Sequence, residues 1–207
     1  MKSAGIMIIG VSHMTQMGMA VFGNNPSEHH GTCRNPVNPN HYPGASSSGT
    51  AAAITSGMVP FGIGTDGGGS IRMPSSQCGI VGLKPTFARC PTHGKLKGGC
   101  RGNLQFLILL RNYMIYGTYP LFFPERTHVN LLIFQGTVSH CGPMAGNAVD
   151  LSLLYSIIAG PTSDDPYSIL QPTVSIPQFT NEKLNLKIGV DWQWAEQADP
   201  VTVDYYF

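Results

Sequence analysis

In Gly62-Ile63-Gly64-Thr65-Asp66-Gly67-Gly68-Gly69-Ser70-Ile71-Arg72-Met73-Pro74, three consecutive glycines lead into a serine, between an acid and a base. Glycines leave their backbone N–H groups uncovered, so these amides can converge on one point as a nest. Ser70 closes the nest, where a nucleophile belongs. Asp66 and Arg72 carry opposite charges and are expected to pair, fixing the loop rather than doing chemistry. A second glycine-bound run lies upstream: Gly44-Ala45-Ser46-Ser47-Ser48-Gly49-Thr50. A hydroxyl both donates and accepts, so a serine of this run can pass a proton between Ser70 and a base. Acyl transfer needs a nucleophile, a proton relay and donors for a developing oxyanion. The two runs offer these parts. The relay also needs a third member with a free lone pair, typically a lysine kept neutral by burial.

Between the runs, Gly49–Gly57 holds Ala51-Ala52-Ala53 among small residues and reads as a helix that can lie close to a sheet, capped by Ser47 or Ser48. Val59–Ile63 reads as a strand, and Gly79–Leu83 as a second short apolar stretch ended by Lys84-Pro85. Upstream, Ile6-Met7-Ile8-Ile9-Gly10 reads as a buried parallel strand fed by a helix end at Lys2–Gly5. Asn24–Pro43 is a proline-rich loop in which His29-His30 finds no third ligand at metal spacing. Downstream, Ala148, Leu151, Leu154, Tyr155 and Ile158 fall at helical steps, and Gly160-Pro161 stops the helix. Pro161–Phe179 reads as an extended linker, and Leu186–Val190 as another strand. Residues 101–135 are apolar and aromatic without clean periodicity and are taken as an atypical insertion.

Bulk properties narrow the class. The 207 residues are 42% hydrophobic and only 11% charged, with a net charge of +1. That balance gives no electrostatic case for nucleic acid or an anionic membrane. No apolar run reaches spanning length. Cys33, Cys78, Cys90, Cys100 and Cys141 show no CxxC spacing, and their odd count argues against a disulfide scaffold and for reduced thiols in an intracellular, cytoplasmic setting. No metal or cofactor is implied.

The two runs, the small-residue helix and Cys78-Gly79-Ile80-Val81-Gly82-Leu83-Lys84-Pro85-Thr86 together resemble the amidase signature family, densely over 44–86 and more loosely elsewhere. The resemblance implies an α/β fold with a mixed sheet flanked by helices on both sides. The 207 residues would be a partial copy of one such domain, with 44–86 as its signature core. It implies a Ser-cisSer-Lys hydrolase of carboxylic amides, small-molecule or lipid, working through an acyl-enzyme. Ser70 would be the nucleophile and Ser46 the cis-peptide relay, with the amides of Gly67, Gly68, Gly69 and Ser70 as the oxyanion hole. Asp66, Arg72 and Ser47 would support them. The family lysine lies before the strand that corresponds to Ala4–Gly10, so the chain is expected to lack it and to be impaired or inactive. Lys2 sits on the wrong helix, and Lys84 is expected to be structural.

Other readings compete. Gly62-x-Gly64-x-x-Gly67 matches a dinucleotide fingerprint, but no Asp or Glu lies in Met73–Pro124 to bind a ribose. Ala45–Gly49 comes near a nucleophile elbow, with His93 and Asp150 as conceivable partners, but that reading leaves the glycine nest unexplained. The remaining alternatives are a catalytically dead amidase-like fragment or binding remnant, and a protein like the A subunit of an amidotransferase.

Overall fold

A computed structural model describes residues 1–15, 22–25, 31–92, 139–168, 170–175, 187 and 189–200. The chain divides into two units, Met1–Pro177 and Gln178–Phe207.

In the first unit, helix α1 spans Ser48–Thr55. Its alanines favour helix and add little bulk. Ser48, Thr50, Ala51 and Ile54 form its buried side. The approach to the next strand is close: a Cβ on Gly62 would stand 2.7 Å from Thr50 Cγ2. The helix ends at Gly57, whose φ of +75° suits glycine. There Gly57 N donates to Ile54 O at 3.0 Å and Met58 N to Ala53 O at 2.9 Å, the paired bonds of a Schellman stop.

Strand β1 spans Phe61–Asp66, β2 Val81–Gly82 and β3 His140–Ala145. Among the described residues they form one sheet in the order β1-β3-β2, with both pairings antiparallel. The register sets Phe61 opposite Ala145 and Asp66 opposite His140. The expected strand at Val59–Ile63 is therefore displaced toward the glycines. Gly64 can sit mid-strand because Met144 Sδ, Ser47 Oγ and Ile71 Cγ1 fill the place of its missing side chain.

Helix α2, Arg72–Cys78, follows the glycine loop and stops at Gly79, at φ +68°. Ala51, Ile54, Ile71, Cys78 and Met144 form the core between α1, α2 and the sheet, with Val59 and Ile80 packed against it. Helix α3 spans Ala148–Ile158 and buries Leu151 and Leu154. Asn147 caps it: its Oδ1 accepts from Asp150 N at 2.9 Å. Asn147→Ala is expected to cost about 1 kcal/mol by removing that acceptor, read as a lowered urea midpoint at unchanged slope.

Three sequence expectations differ from the structure. Ile6–Gly10 is not a strand: Lys2–Ala4 is a 3-10 turn, and Met7, Ile8 and Ile9 are 82%, 53% and 69% exposed. An apolar run favours burial, but a strand needs a neighbour to complete its hydrogen bonds. None of the three strands takes it. Pro161–Phe179 is more than a linker over its described part. Asp165 and Ser168 are buried, and Asp165 Oδ2 accepts from Thr92 N at 2.9 Å, tying the segment back to the chain after β2. Neither Ser47 nor Ser48 caps α1 with its side chain: Ser47 precedes the helix without a cap bond, and Ser48 Oγ donates to Gly44 O at 2.7 Å.

The expected insertion at 101–135, and His29-His30, lie outside the described residues, as do Leu186 and Ile188 of the expected strand at 186–190. The second unit contains helix α4, Trp192–Ala195, capped by Asp191 through Trp194 N at 3.0 Å.

Candidate active site

The relay and nucleophile runs meet through the backbone. Ser47 N donates to Ser70 O at 3.3 Å, bringing the segment before α1 against the loop before α2. Ser47 Oγ strengthens the junction from inside. It donates to Thr65 O at 3.4 Å and accepts from Thr65 N at 3.2 Å, pinning the relay loop to β1. Gly44, at φ +81°, packs on Pro74 of α2, where any Cβ would strike the proline backbone. The Ala45–Ser46 peptide is cis. Ser46 is buried and Ser70 half-buried. Neither hydroxyl forms a hydrogen bond among the described residues.

A stretch that sequence reasoning passed over holds the other side of the relay loop. Thr15 N donates to Ser46 O at 3.4 Å, and Gly49 N donates to His13 O at 2.9 Å. Ser12 Oγ meets Thr50 Oγ1 at 2.6 Å. The signal that could have found this contact is Gly49 itself. A side chain there would collide with the His13 backbone.

Asp66 organises the glycine loop before α2. Its carboxylate is fully buried and accepts from Gly69 N at 2.7 Å, Ile71 N at 3.1 Å and Arg72 N at 3.3 Å. Arg72 grips it with two prongs, Nε to Oδ2 at 3.0 Å and Nη2 to Oδ1 at 3.1 Å. Burial by itself pushes the Asp66 carboxyl up. The Arg72 bond and the amides of Ile71, Gly69 and Arg72 outweigh it and hold the carboxyl well below the usual carboxylate range. The expected Asp66–Arg72 pair is therefore present, and it clamps the loop.

One amide of the nest has an acceptor within the loop. Gly69 N–H, assigned by resemblance to the oxyanion, is spent on Asp66, because the carboxylate lies directly under it. Among the described residues nothing accepts from the amides of Gly67, Gly68 or Ser70. Lys84 also reaches the loop, with Nζ 3.2 Å from Gly67 O and 3.4 Å from Asp66 Oδ1.

Competing chemistry finds less support. Burial pushes the Cys78, Cys90 and Cys141 thiols up to about 11, 12 and 11, so they stay protonated at neutral pH and are poor nucleophiles. Asp150, a conceivable elbow partner, is engaged with Asn147 at the start of α3, and His93 lies outside the described residues. Among the described residues no three His, Cys, Asp or Glu side chains cluster as metal ligands, and no helix is long and apolar enough to cross a membrane.

Comparison with known proteins places this arrangement. A solved structure described as a vestigial protein complex that reveals the origins of an s-triazine catabolic enzyme superposes with a TM-score of 0.60. It is 31% identical, over 84% of this chain and 30% of that one. By fold the protein is thus an amidase-signature α/β protein. The Amidase family model matches residues 1–106, and the chain belongs to that family. It is 35% identical to a fatty acid amide hydrolase of Oryza sativa subsp. indica, over 94% of this chain and 26% of that protein. It is 34% identical to the glutamyl-tRNA(Gln) amidotransferase A subunit of Methanospirillum hungatei, over 97% of this chain and 37% of that protein. The chain thus spans about a quarter to a third of the length of these relatives.

Proposed function

We propose that the chain carries the nucleophile and relay parts of an amide hydrolase acting on carboxylic amides. Ser70 Oγ attacks the carbonyl carbon, its proton passes to Ser46 Oγ, and the Ser46 proton passes on to a base. The amine leaves with a proton, and water then hydrolyses the Ser70 ester. The amides of Gly67, Gly68 and Ser70 hold the oxyanion, with Gly69 left out because Asp66 takes its N–H. The observation that carries this reading is the junction of the two loops, Ser47 N to Ser70 O at 3.3 Å, which places both serine-bearing segments side by side. The relatives named as a fatty acid amide hydrolase and as a glutamyl-tRNA(Gln) amidotransferase both fit an amide substrate. A fluorophosphonate probe tests the nucleophile: peptide mass mapping is expected to find the adduct on Ser70, and Ser70→Ala to abolish it. An adduct on Ser46 or Ser48 instead would sink the assignment.

A further inference from the structure

We infer that Lys84 is a positioning residue that aims the Gly68 N–H, one of the amides offered to the oxyanion; the inference rests on the reading of Ser70 as nucleophile. A peptide unit is planar, and in its trans form the carbonyl and the following N–H point to opposite sides. Among the described residues the only cis bond is Ala45–Ser46, so the Gly67–Gly68 and Gly69–Ser70 units are trans. Whatever holds the Gly67 carbonyl therefore fixes the direction of the Gly68 N–H, and whatever holds the Gly69 carbonyl fixes that of Ser70. The Gly69 carbonyl is held by the main chain: Met73 N, in the first turn of α2, donates to it at 2.7 Å. The Gly67 carbonyl is held by a side chain, Lys84 Nζ at 3.2 Å.

The difference matters because of where the two units sit. Gly67 and Gly68 are both glycines, and a Cβ on Gly68 would meet nothing within 4 Å. Neither residue's own sterics restrain that peptide, so its orientation depends on an external tie. Lys84 is well placed to supply one. It follows β2, where Leu83 N donates to Pro143 O at 3.1 Å, and it precedes the buried Pro85. Its backbone is thus fixed to the sheet on one side and packed on the other. The same Nζ lies 3.4 Å from Asp66 Oδ1, and Asp66 is the group that holds the Gly69 amide at 2.7 Å. One ammonium group therefore links the carboxylate that shapes the nest with the carbonyl behind its outermost amide. Helix α2 aims the Ser70 amide and Lys84 aims the Gly68 amide.

The test uses the full 207-residue chain and a fluorophosphonate. In that reaction Ser70 Oγ bonds to phosphorus, fluoride leaves with the P–F pair, and the serine proton goes to solvent through Ser46. The leaving group needs no protonation, so slow labelling is measurable without a strong base. Lys84→Met is expected to label about 10- to 100-fold more slowly per folded molecule, the scale of an impaired oxyanion donor. Lys84→Arg, which keeps a cationic donor of similar reach, is expected to recover the rate to within about threefold. Carbonyl-labelled and amide-labelled glycine supplies a second readout. In Lys84→Met the Gly67 carbonyl and Gly68 amide resonances are expected to move, while the Gly69 carbonyl, held by Met73 N, stays. A lysine with a merely structural role would lower the melting temperature without altering the labelling rate of folded protein. Folded Lys84→Met that labels as fast as the parent, or Gly67 and Gly68 resonances that stay in place, overturns the inference and leaves Ser70 untouched. A parent chain that never acquires an adduct on Ser70 overturns the nucleophile assignment, and this inference with it.

Discussion

Asp66→Ala is expected to destabilise the first unit by about 3–5 kcal/mol, chiefly because two buried amides lose their charged acceptor. The carboxylate accepts three backbone amides, from Gly69, Ile71 and Arg72, and two guanidinium donors. Removing it leaves the Gly69 and Ile71 amides without an acceptor in a place water does not reach, each at about 1–3 kcal/mol. Arg72 is 56% exposed on its side chain and simply rehydrates, so most of the loss sits in the amides. Asp66→Asn should rescue little, because its NH2 group would face one of the amides that now donate to an oxygen. For a chain of this size the expected fall in melting temperature is roughly 6–20 °C, read by calorimetry. A fall under about 2 °C would show that the loop is held by something else.

The same contacts give a pH dependence of definite sign. The folded-state Asp66 carboxyl is held below its unfolded value, so its contribution is complete above the ordinary carboxylate range, near pH ~4, and is lost as pH falls below that. Urea midpoints of the parent chain are expected to drop between about pH 4 and pH 2, and the Asp66→Ala curve to be flatter over that window. Parallel curves would remove Asp66 from the account of acid stability.

What could be read from the sequence was mainly what depends on neighbours along the chain. Ala51-Ala52-Ala53 marks α1, and the spacing of Leu151 and Leu154 marks α3, because helix propensity and a 3.6-residue period are local. The strand containing Gly62 and Gly64 was misplaced for the opposite reason. Glycines look like turn residues until the neighbours that fill their missing side chains are known, and here those neighbours are Thr50, Met144, Ser47 and Ile71. Ile6–Gly10 failed as a strand because composition cannot say whether a pairing partner is present. At the site, the opposite charges of Asp66 and Arg72 were enough to foresee their contact. The destination of each amide was not foreseeable. A sequence counts N–H groups but does not say that Asp66 claims Gly69, or that Lys84, eighteen residues after Asp66, reaches back to Gly67.

On the proposed mechanism, 207 residues whose Ser70–Ser46 relay finds no base are expected to hydrolyse a simple carboxamide below about 10⁻³ s⁻¹, taking ~10 s⁻¹ as ordinary turnover and ~10⁴ as the loss without a proton-transfer partner. In the proposed mechanism Ser46 only moves a proton on; it does not hold one. Lys84 is a poor substitute for the base, since its Nζ is already engaged by Gly67 O and the Asp66 carboxylate. An amide leaving group must be protonated as it departs, whereas fluoride need not be. The expected signature is therefore slow, Ser70-dependent labelling by a fluorophosphonate together with almost no ammonia release from an amide. On that reading, a small primary amine added at high concentration should raise amide turnover in proportion to its free-base form, because its lone pair can take the proton that Ser46 passes on. Turnover at ordinary enzyme rates that disappears in Ser70→Ala would show that the base comes from within these residues. Amide binding that survives Ser70→Ala, with neither labelling nor amine rescue in the parent, would make the chain a binding remnant of the family instead.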